Sequence, residues 1–462
     1  MDEPAAALTG RNYIGGEWRP ATSGATYQRV SPIDLEVVGT FASSAADDVE
    51  AAVREARGAL QSWIELPSAA RAAVLARAAD DLDARRERVA ADMTTEMGKP
   101  SRESRAEVAR SAAIFRYAAT HAYRAHGEVF AQSSGRPALT FRRPVGVVGL
   151  ITPWNFPCAI PAWKLAPALA YGNTVVLTLA YDAPLSGLHI AAAFAAAELP
   201  PGVLNVVTGR GATVGAAFVR EPGVRAISFT GSVATGSALR DEATPLGKRV
   251  QLELGGHNPV IVMADADLDR AAEAAYAGAF WSAGQKCTAT RRIFVEADVY
   301  DAFRLRLLRR IEQARIGDPR VPETEIGLLV NEEQFNEVVR AIERGTAEGG
   351  TLLVGGRPTR SFRLPRGSDG VRGRGRRRVP HVRGSLRARH VALSLRRSRR
   401  GTQPSKRRRV WALGVDLHNE PRDCPPLHEP DAGGHPPCEL ADCGRGCPPS
   451  VRRHQEQRLR AA

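Results

Sequence analysis

Between Val145 and Val262 the chain repeats one pattern: a short apolar run, a turn, a helical stretch and another apolar run. The runs are Val145–Ile151, Thr174–Leu177, Val203–Val207, Ala226–Phe229 and Val260–Val262, with helical spacing at about 161–171, 184–198, 211–220 and 233–242. Short runs this continuously apolar read as strands buried on both faces, and strands that alternate with helices pair in parallel. The pattern therefore predicts an α/β fold with a doubly wound sheet. Such a sheet takes its ligand outside the carboxyl ends of its strands.

The flanks add helices on one side and a second α/β segment on the other. Ala52, Val53, Ala56, Leu60 and Trp63 fall at helical spacing behind Asp47-Asp48, an acidic helix start. Ser68 reads as the N-cap of one long helix that stops at Met97-Gly98-Lys99-Pro100, and a third helix is expected at about 103–122. Beyond 255 come a strand at Ile293–Val295, helices at Tyr300–Ile311 and Asn331–Gly345, and a strand at Thr351–Val354.

Order in the pattern ends near residue 360. Ser361–Ala462 carries 24 Lys and Arg against 9 Asp and Glu, whereas residues 1–360 carry 40 against 41. The formal charge of +14 therefore belongs to the last 102 residues, and a basic nucleic-acid binder built from the whole chain is excluded. That tail has eleven prolines, only Phe362 and Trp411 as aromatics, and no helical or strand period. Without aromatics for base stacking, specific nucleic-acid binding is not expected. Its Cys424, His428, His435, Cys438, Cys443 and Cys447 fit no pair of C-x2-C knuckles, so no metal site is assigned. The body has two cysteines, Cys158 and Cys287, which make no disulfide framework. Met1–Gly10 lacks a signal-peptide pattern, and the apolar stretch Ile190–Ala197 is too short to span a bilayer. A cytoplasmic protein without membrane partners is expected.

Four motifs carry chemistry. Phe229-Thr-Gly231-Ser232 is a strand end, a glycine turn and a helix start, which offers backbone N–H groups to a pyrophosphate or is simply a helix cap. Thr152-Pro-Trp154-Asn155-Phe-Pro157 follows the first strand of the sheet; Asn155 either donates to an oxyanion or bonds its own backbone in a turn. Glu253 precedes Gly255-Gly256 at a strand end, as a general base or as an exposed carboxylate. Cys287, between a helix and a strand, is either a nucleophile or a buried inert thiol.

Taken in order, these strings resemble the NAD(P)-dependent aldehyde dehydrogenase superfamily. The matching pieces are the Thr152–Pro157 loop, Trp163-Lys164, Gly172-Asn-Thr174, Phe229–Ser232, Glu253-Leu-Gly-Gly256 and Gly284-Gln-Lys-Cys287, spread over about Tyr13 to Arg357. Within the superfamily the chain is most similar to the α-ketoglutaric and succinic semialdehyde dehydrogenases. The resemblance implies a Rossmann-like cofactor domain (residues 1–122 and 144–254), an oligomerisation hairpin (123–143) and an incomplete catalytic α/β domain (255–360). It also implies oxidation of an aldehyde, here a semialdehyde, to its acid. Cys287 would be the nucleophile, Asn155 an oxyanion donor, Glu253 the base that activates water, and Lys164 an aid to proton movement or cofactor placement. Ile151, Thr152, Trp154, Thr178, Tyr181, Phe229, Gly231, Ser232 and Leu254 would line the cofactor. Arg291 or Arg292 is a candidate cation for the distal carboxylate of a semialdehyde.

Two departures qualify the resemblance. Family members carry Lys-Pro-Ala/Ser-Glu after the second strand, where this chain has Leu177-Thr178-Leu179-Ala180-Tyr181. Both charged ribose contacts are lost, which favours NAD over NADP. The family also continues with a Glu-Glu-Ile-Phe-Gly-Pro motif and a strand that bridges subunits in its dimers and tetramers; neither is found after Ser361. An Arg- and Pro-rich aperiodic tail is what a GC-rich gene gives when read out of frame, so a frameshift near codons 357–365 is expected. Two other readings stay open: an impaired dehydrogenase remnant, and a nucleic-acid binder acting through its basic tail.

Overall fold

The computed structural model describes residues 8–124, 127–131, 138–356, 392–398 and 410–414. The first strands, β1 (Asn12–Ile14) and β2 (Glu17–Arg19), form a hairpin, followed by the antiparallel pair β3 (Thr26–Val30) and β4 (Val37–Ala42). Helix α1 (Ala46–Glu65) starts where expected: the Asp48 carboxylate accepts from the Ala45 N–H at 2.9 Å, and the apolar stripe from Val49 to Trp63 is buried.

The single long helix expected from Ser68 is instead two, α2 (Ser68–Ala84) and α3 (Arg86–Met97). Arg85 leaves helical geometry at φ −96°, ψ 13°, and at the bend its side chain pairs with Asp81 and reaches the His189 carbonyl at 3.3 Å. Pro67, not Ser68, occupies the cap position, without a side-chain cap bond. Gly98 ends α3 at φ +74°, where a Cβ would lie 2.7 Å from Leu328 Cβ. Helix α4 (Ser101–Ala122) follows, then a short hairpin of β5 (Val129–Phe130) and β6 (Ala138–Leu139).

The doubly wound sheet is present. Strands β7 (Val147–Ile151), β8 (Thr174–Thr178), β9 (Leu204–Val207), β10 (Val224–Gly231) and β11 (Arg249–Leu254) are parallel. They alternate with α5 (Ala159–Ala170), α6 (Pro184–Ala196), α7 (Gly211–Arg220) and α8 (Val233–Ala243). The order is β11-β10-β7-β8-β9-β1-β2, so winding reverses between β7 and β10. Alternate residues feed opposite cores. Val148, Leu150, Val175 and Leu177 pack on one side, and Val147, Ile151 and Val176 meet Val49, Val53 and Phe218 on the other.

A second sheet, ordered β12-β13-β15-β16-β14, contains β12 (Asn258–Val262), β13 (Thr290–Glu296), β14 (Thr351–Leu352), β15 (Ala392–Ser398) and β16 (Val410–Gly414). Helices α9 (Leu268–Phe280), α10 (Tyr300–Glu312) and α11 (Glu332–Ala347) pack with it around Tyr276, Phe280, Ile293 and Phe303. Strands β15 and β16 lie in the tail that the sequence pattern left without structure. Pairing along an open strand edge uses main-chain groups, so it needs no side-chain period. The six tail Cys and His residues considered as metal ligands lie outside the described residues. Among the described residues no cluster of His, Cys, Asp or Glu suits a metal, and no helix is long and apolar enough to cross a membrane.

Candidate active site

The carboxyl ends of β10 and β11 and the start of β13 face a common cavity of about 970 Å³. Lys164, Glu253 and Cys287 line it together. Three of the four catalytic residues expected from sequence are thus brought to one space from α5, β11 and the loop before β13. Asn155 does not line the cavity, although its neighbour Phe156 does.

Cys287 is exposed, and the backbone at its loop is tied on several sides. Asn258 Nδ2 donates to the Cys287 carbonyl at 2.7 Å and to the Ala289 carbonyl at 3.1 Å. Just upstream, Ser282 and Ala283 adopt left-handed φ of 56° and 54°, a costly geometry for residues with a Cβ. Glu103 on α4 holds that turn by accepting from Ser282 N–H at 3.1 Å and from its hydroxyl. Gln285 accepts from Val330 N–H at 3.0 Å and donates to the Leu328 carbonyl at 3.2 Å. Cys158, by contrast, is the buried inert thiol: it donates to the Ser186 carbonyl at 3.1 Å, and burial pushes its pKa well up.

Glu253 is exposed at the end of β11 and accepts from Gln251 Nε2 at 2.8 Å. Lys164 donates to Ser228 Oγ on β10 at 2.6 Å and to Gln251 Oε1 at 3.3 Å. Burial lowers the Lys164 pKa to about 8, against the pull of the Glu253 charge, which raises it. The Asn155 loop is anchored rather than self-bonded. Lys99 donates to the Asn155 carbonyl at 2.8 Å and stands 4.2 Å from the Phe156 ring centroid. The Asn155 amide oxygen is buried without a hydrogen-bond partner.

Lys99 is itself in a buried ion pair with Glu107, whose other oxygen accepts from the Cys158 and Ala159 N–H groups at 2.9 and 3.1 Å. Sequence reading missed Lys99, Glu103, Glu107 and Gln251. The only signal was a helix with Glu103 and Glu107 four apart, which looks like any polar helix face. Removing one member of a buried pair leaves the other charge uncompensated, at a cost of about 3–5 kcal/mol. Glu107→Ala is therefore expected to lower the midpoint of guanidinium unfolding clearly. An unchanged midpoint would show that the pair does not hold the loop.

The expected cofactor residues gather at the carboxyl edge around the switch point. Gly231 and Ser232 lead into α8, and Ser232 Oγ accepts from Thr235 N–H at 3.2 Å. Ser232 to Thr235 are exposed, so the start of this eleven-residue helix is open to solvent, with the Thr235 N–H already capped by Ser232. A Cβ at Gly236 would lie 2.5 Å from a Leu254 methyl, so this glycine allows the close approach of α8 to β11, while one at Gly231 would lie 2.5 Å from the ring of Phe229 on its own strand. Ile151 and Phe229 are buried and face each other across β7 and β10, each also paired to the strand on its other side. Thr152 donates through N–H and hydroxyl to the Thr178 carbonyl at 3.3 and 3.2 Å, and Trp154 packs half-buried against the main core. The donor set at α8 suits a dinucleotide pyrophosphate.

Three expectations need correction. Thr178, expected to donate to a ribose, is 1% exposed with its hydroxyl turned inside and unpartnered. Tyr181, expected to line the cofactor, stacks on Tyr27 at 4.1 Å, and the Arg210 guanidinium of the β9–α7 loop lies 4.9 Å from its ring centroid. Arg292 is not available to a substrate carboxylate, because its Nε and Nη2 donate to the His257 carbonyl at 3.1 and 2.9 Å. Arg291 is absent from the cavity wall.

A doubly wound parallel sheet whose carboxyl edge meets an exposed cysteine, a carboxylate and a half-buried lysine defines an α/β enzyme fold with a nucleophile-and-base site. The sequence pattern of the aldehyde dehydrogenase family matches residues 18–367, and the chain belongs to that family. It is 44% identical over 348 residues to the alpha-ketoglutaric semialdehyde dehydrogenase of Bacillus subtilis, covering 75% of this chain and 71% of the relative. To the alpha-ketoglutarate semialdehyde dehydrogenase of Haloferax volcanii it is 42% identical over 348 residues, covering 75% and 72%. The fold is similar to an aldehyde dehydrogenase of Brucella melitensis biovar abortus at a TM-score of 0.75 and 35% identity, covering 77% of this chain and 74% of that one. An NAD-dependent aldehyde dehydrogenase of Sinorhizobium meliloti gives 0.75 at 37% identity, covering 78% and 72%.

Proposed function

We propose that the chain oxidises a semialdehyde to the corresponding carboxylic acid with NAD or NADP, through a covalent intermediate on Cys287. The observation that carries this reading is the shared cavity of Cys287, Glu253 and Lys164 beside the carboxyl edge of the parallel sheet. The Cys287 thiolate adds to the aldehyde carbon, giving a thiohemiacetal whose oxyanion takes a hydrogen bond from the Cys287 N–H. The family resemblance assigns a second to the Asn155 amide, whose loop neighbour Phe156 lines the cavity. The cofactor, held by the α8 N-terminus and the ends of β7, β10 and β11, would supply the hydride acceptor. Glu253 then removes a proton from water, which opens the thioester on Cys287, releases the acid and regenerates the thiol. Lys164, hydrogen-bonded across β10 and β11, is placed to move a proton to or from Glu253. The retained base favours water over a thiol cosubstrate as the acyl acceptor. Exposed Val129, Phe130 and Leu139 on the β5–β6 hairpin support its use in subunit pairing.

The purified chain, given succinic semialdehyde, is expected to reduce NAD+ and release succinate in equal amounts, read by absorbance and chromatography. Absence of turnover with that aldehyde and with simple alkanals, while NAD still binds, would favour the remnant reading.

Lys164 offers a separate check. Its reactivity toward acetic anhydride, followed by peptide mass spectrometry, is expected to titrate near pH 8, below the ordinary lysine value of about 10.4. In Glu253→Gln the midpoint is expected to fall further, because the carboxylate charge supports the ammonium form. A midpoint that stays put in the variant would separate the two groups.

A further inference from the structure

Besides Lys164, and Lys286 whose ammonium donates to the Ala277 carbonyl at 3.2 Å, the cavity wall carries two arginines that the chemistry above does not use. Arg102, Ala106 and Arg110 follow one another at four-residue intervals on α4, so they share one helix face, and all three line the cavity. Each guanidinium rests on an indole supplied by another element. Arg110 lies 5.3 Å from the Trp163 ring centroid on α5, and Arg102 lies 5.4 Å from that of Trp281, just ahead of the nucleophile loop. Neither arginine pairs with a carboxylate among the described residues. The two acids of α4 on that wall are engaged elsewhere, Glu107 by Lys99 and two N–H groups, Glu103 by Ser282.

Stacking on an aromatic face orients a guanidinium and leaves its N–H edge open, and that planar fork matches a carboxylate. Ala106 between them keeps the wall low enough for a ligand to lie along it. The two cations are about 12 Å apart along the helix, so a short substrate would engage one at a time.

We propose that Arg102 and Arg110 are the residues that select for a distal carboxylate, binding the acid end of a short ω-oxo acid while its aldehyde end meets Cys287. This rests on the aldehyde-oxidising reading. It replaces Arg291 and Arg292 as the source of the cation.

The test separates charge recognition from turnover. Alkylation of Cys287 by iodoacetate and by iodoacetamide is compared through the mass of its own peptide, in the wild-type chain and in R102Q/R110Q. The clamp predicts that the iodoacetate-to-iodoacetamide rate ratio falls about tenfold in the double variant. In turnover, KM for succinic semialdehyde is expected to rise about ten- to a hundredfold, while butanal, with the same carbon chain and no carboxylate, keeps its KM. Arg110→Lys, which retains charge without the fork, should fall between. An unchanged alkylation ratio, or equal losses for both aldehydes, would overturn the proposal. A falling ratio in a chain that oxidises neither aldehyde would leave the clamp standing and remove the activity. Equal oxidation of both aldehydes by both proteins would do the reverse.

Discussion

Replacing Cys287 with alanine is expected to abolish aldehyde-dependent reduction of NAD(P)+, lowering kcat/KM by about 10⁴-fold or more, as removal of a covalent nucleophile does in other acyl-transfer enzymes. No other thiol in the body can take over. Cys158 is fully buried, its thiol is committed to the Ser186 carbonyl, and its ionisation is suppressed by burial. Glu253→Gln should behave differently. Thiol addition and hydride loss do not use the carboxylate, so the first turnover proceeds and the thioester then waits for water. A rapid-mixing experiment should show about one equivalent of NAD(P)H per active chain followed by a slow steady state. The Cys287 peptide should carry the mass of the acyl group. If Cys287→Ala still turned over, the covalent route would be wrong. If Glu253→Gln lost the burst as well, the carboxylate would act before deacylation. Either result would leave the fold assignment untouched.

Much of this site can be read in the sequence because its parts sit at ends of regular elements. The apolar runs placed β7, β8, β9 and β10 to within two residues at each end, and with them the strand end at Ile151, while Thr178 and Gly231 lie one and two residues past the ends expected. Glu253 and Cys287 were singled out because a polar residue at a strand end and a lone loop cysteine break the local pattern. What stayed hidden was long-range and polar. Arg85 bends a helix that propensity alone continues, because it gains Asp81 and the His189 carbonyl at once. Lys99 and Glu107 look like surface charges until α4 packs on α5 and buries them together. Thr178 and Arg292 had suitable chemistry, but their groups are turned into the protein or fixed on a carbonyl. Arg102 and Arg110 were invisible for the converse reason: their stacking partners are 179 and 53 residues away in the chain.

We propose that the reading frame shifts near codon 360, and restoring it is expected to change the protein more than any single substitution outside the nucleophile. Three observations meet there. The charge balance breaks at Ser361, the aldehyde dehydrogenase pattern stops at residue 367, and the cavity keeps Trp163 and Trp281 at 48% and 41% exposure. Two half-exposed indoles on one cavity wall leave apolar area in water that a further segment of chain would cover. The coding DNA beyond that point, read in one of the other two forward frames, should encode the Glu-Glu-Ile-Phe-Gly-Pro motif. Its second glutamate would hold the nicotinamide ribose, and misplacement of a reacting partner by about 1 Å costs about 10²-fold in rate. The frame-corrected chain is therefore expected to exceed the present one in kcat/KM by at least about 10²-fold. Its tryptophan emission should shift to the blue, with less quenching by acrylamide, as the cavity mouth is covered. If neither frame encodes the motif, the tail is a native sequence and the idea fails. If the motif appears but the corrected chain is no more active and its tryptophans no better shielded, then the present chain already folds a complete cavity, and the exposed indoles belong to its substrate.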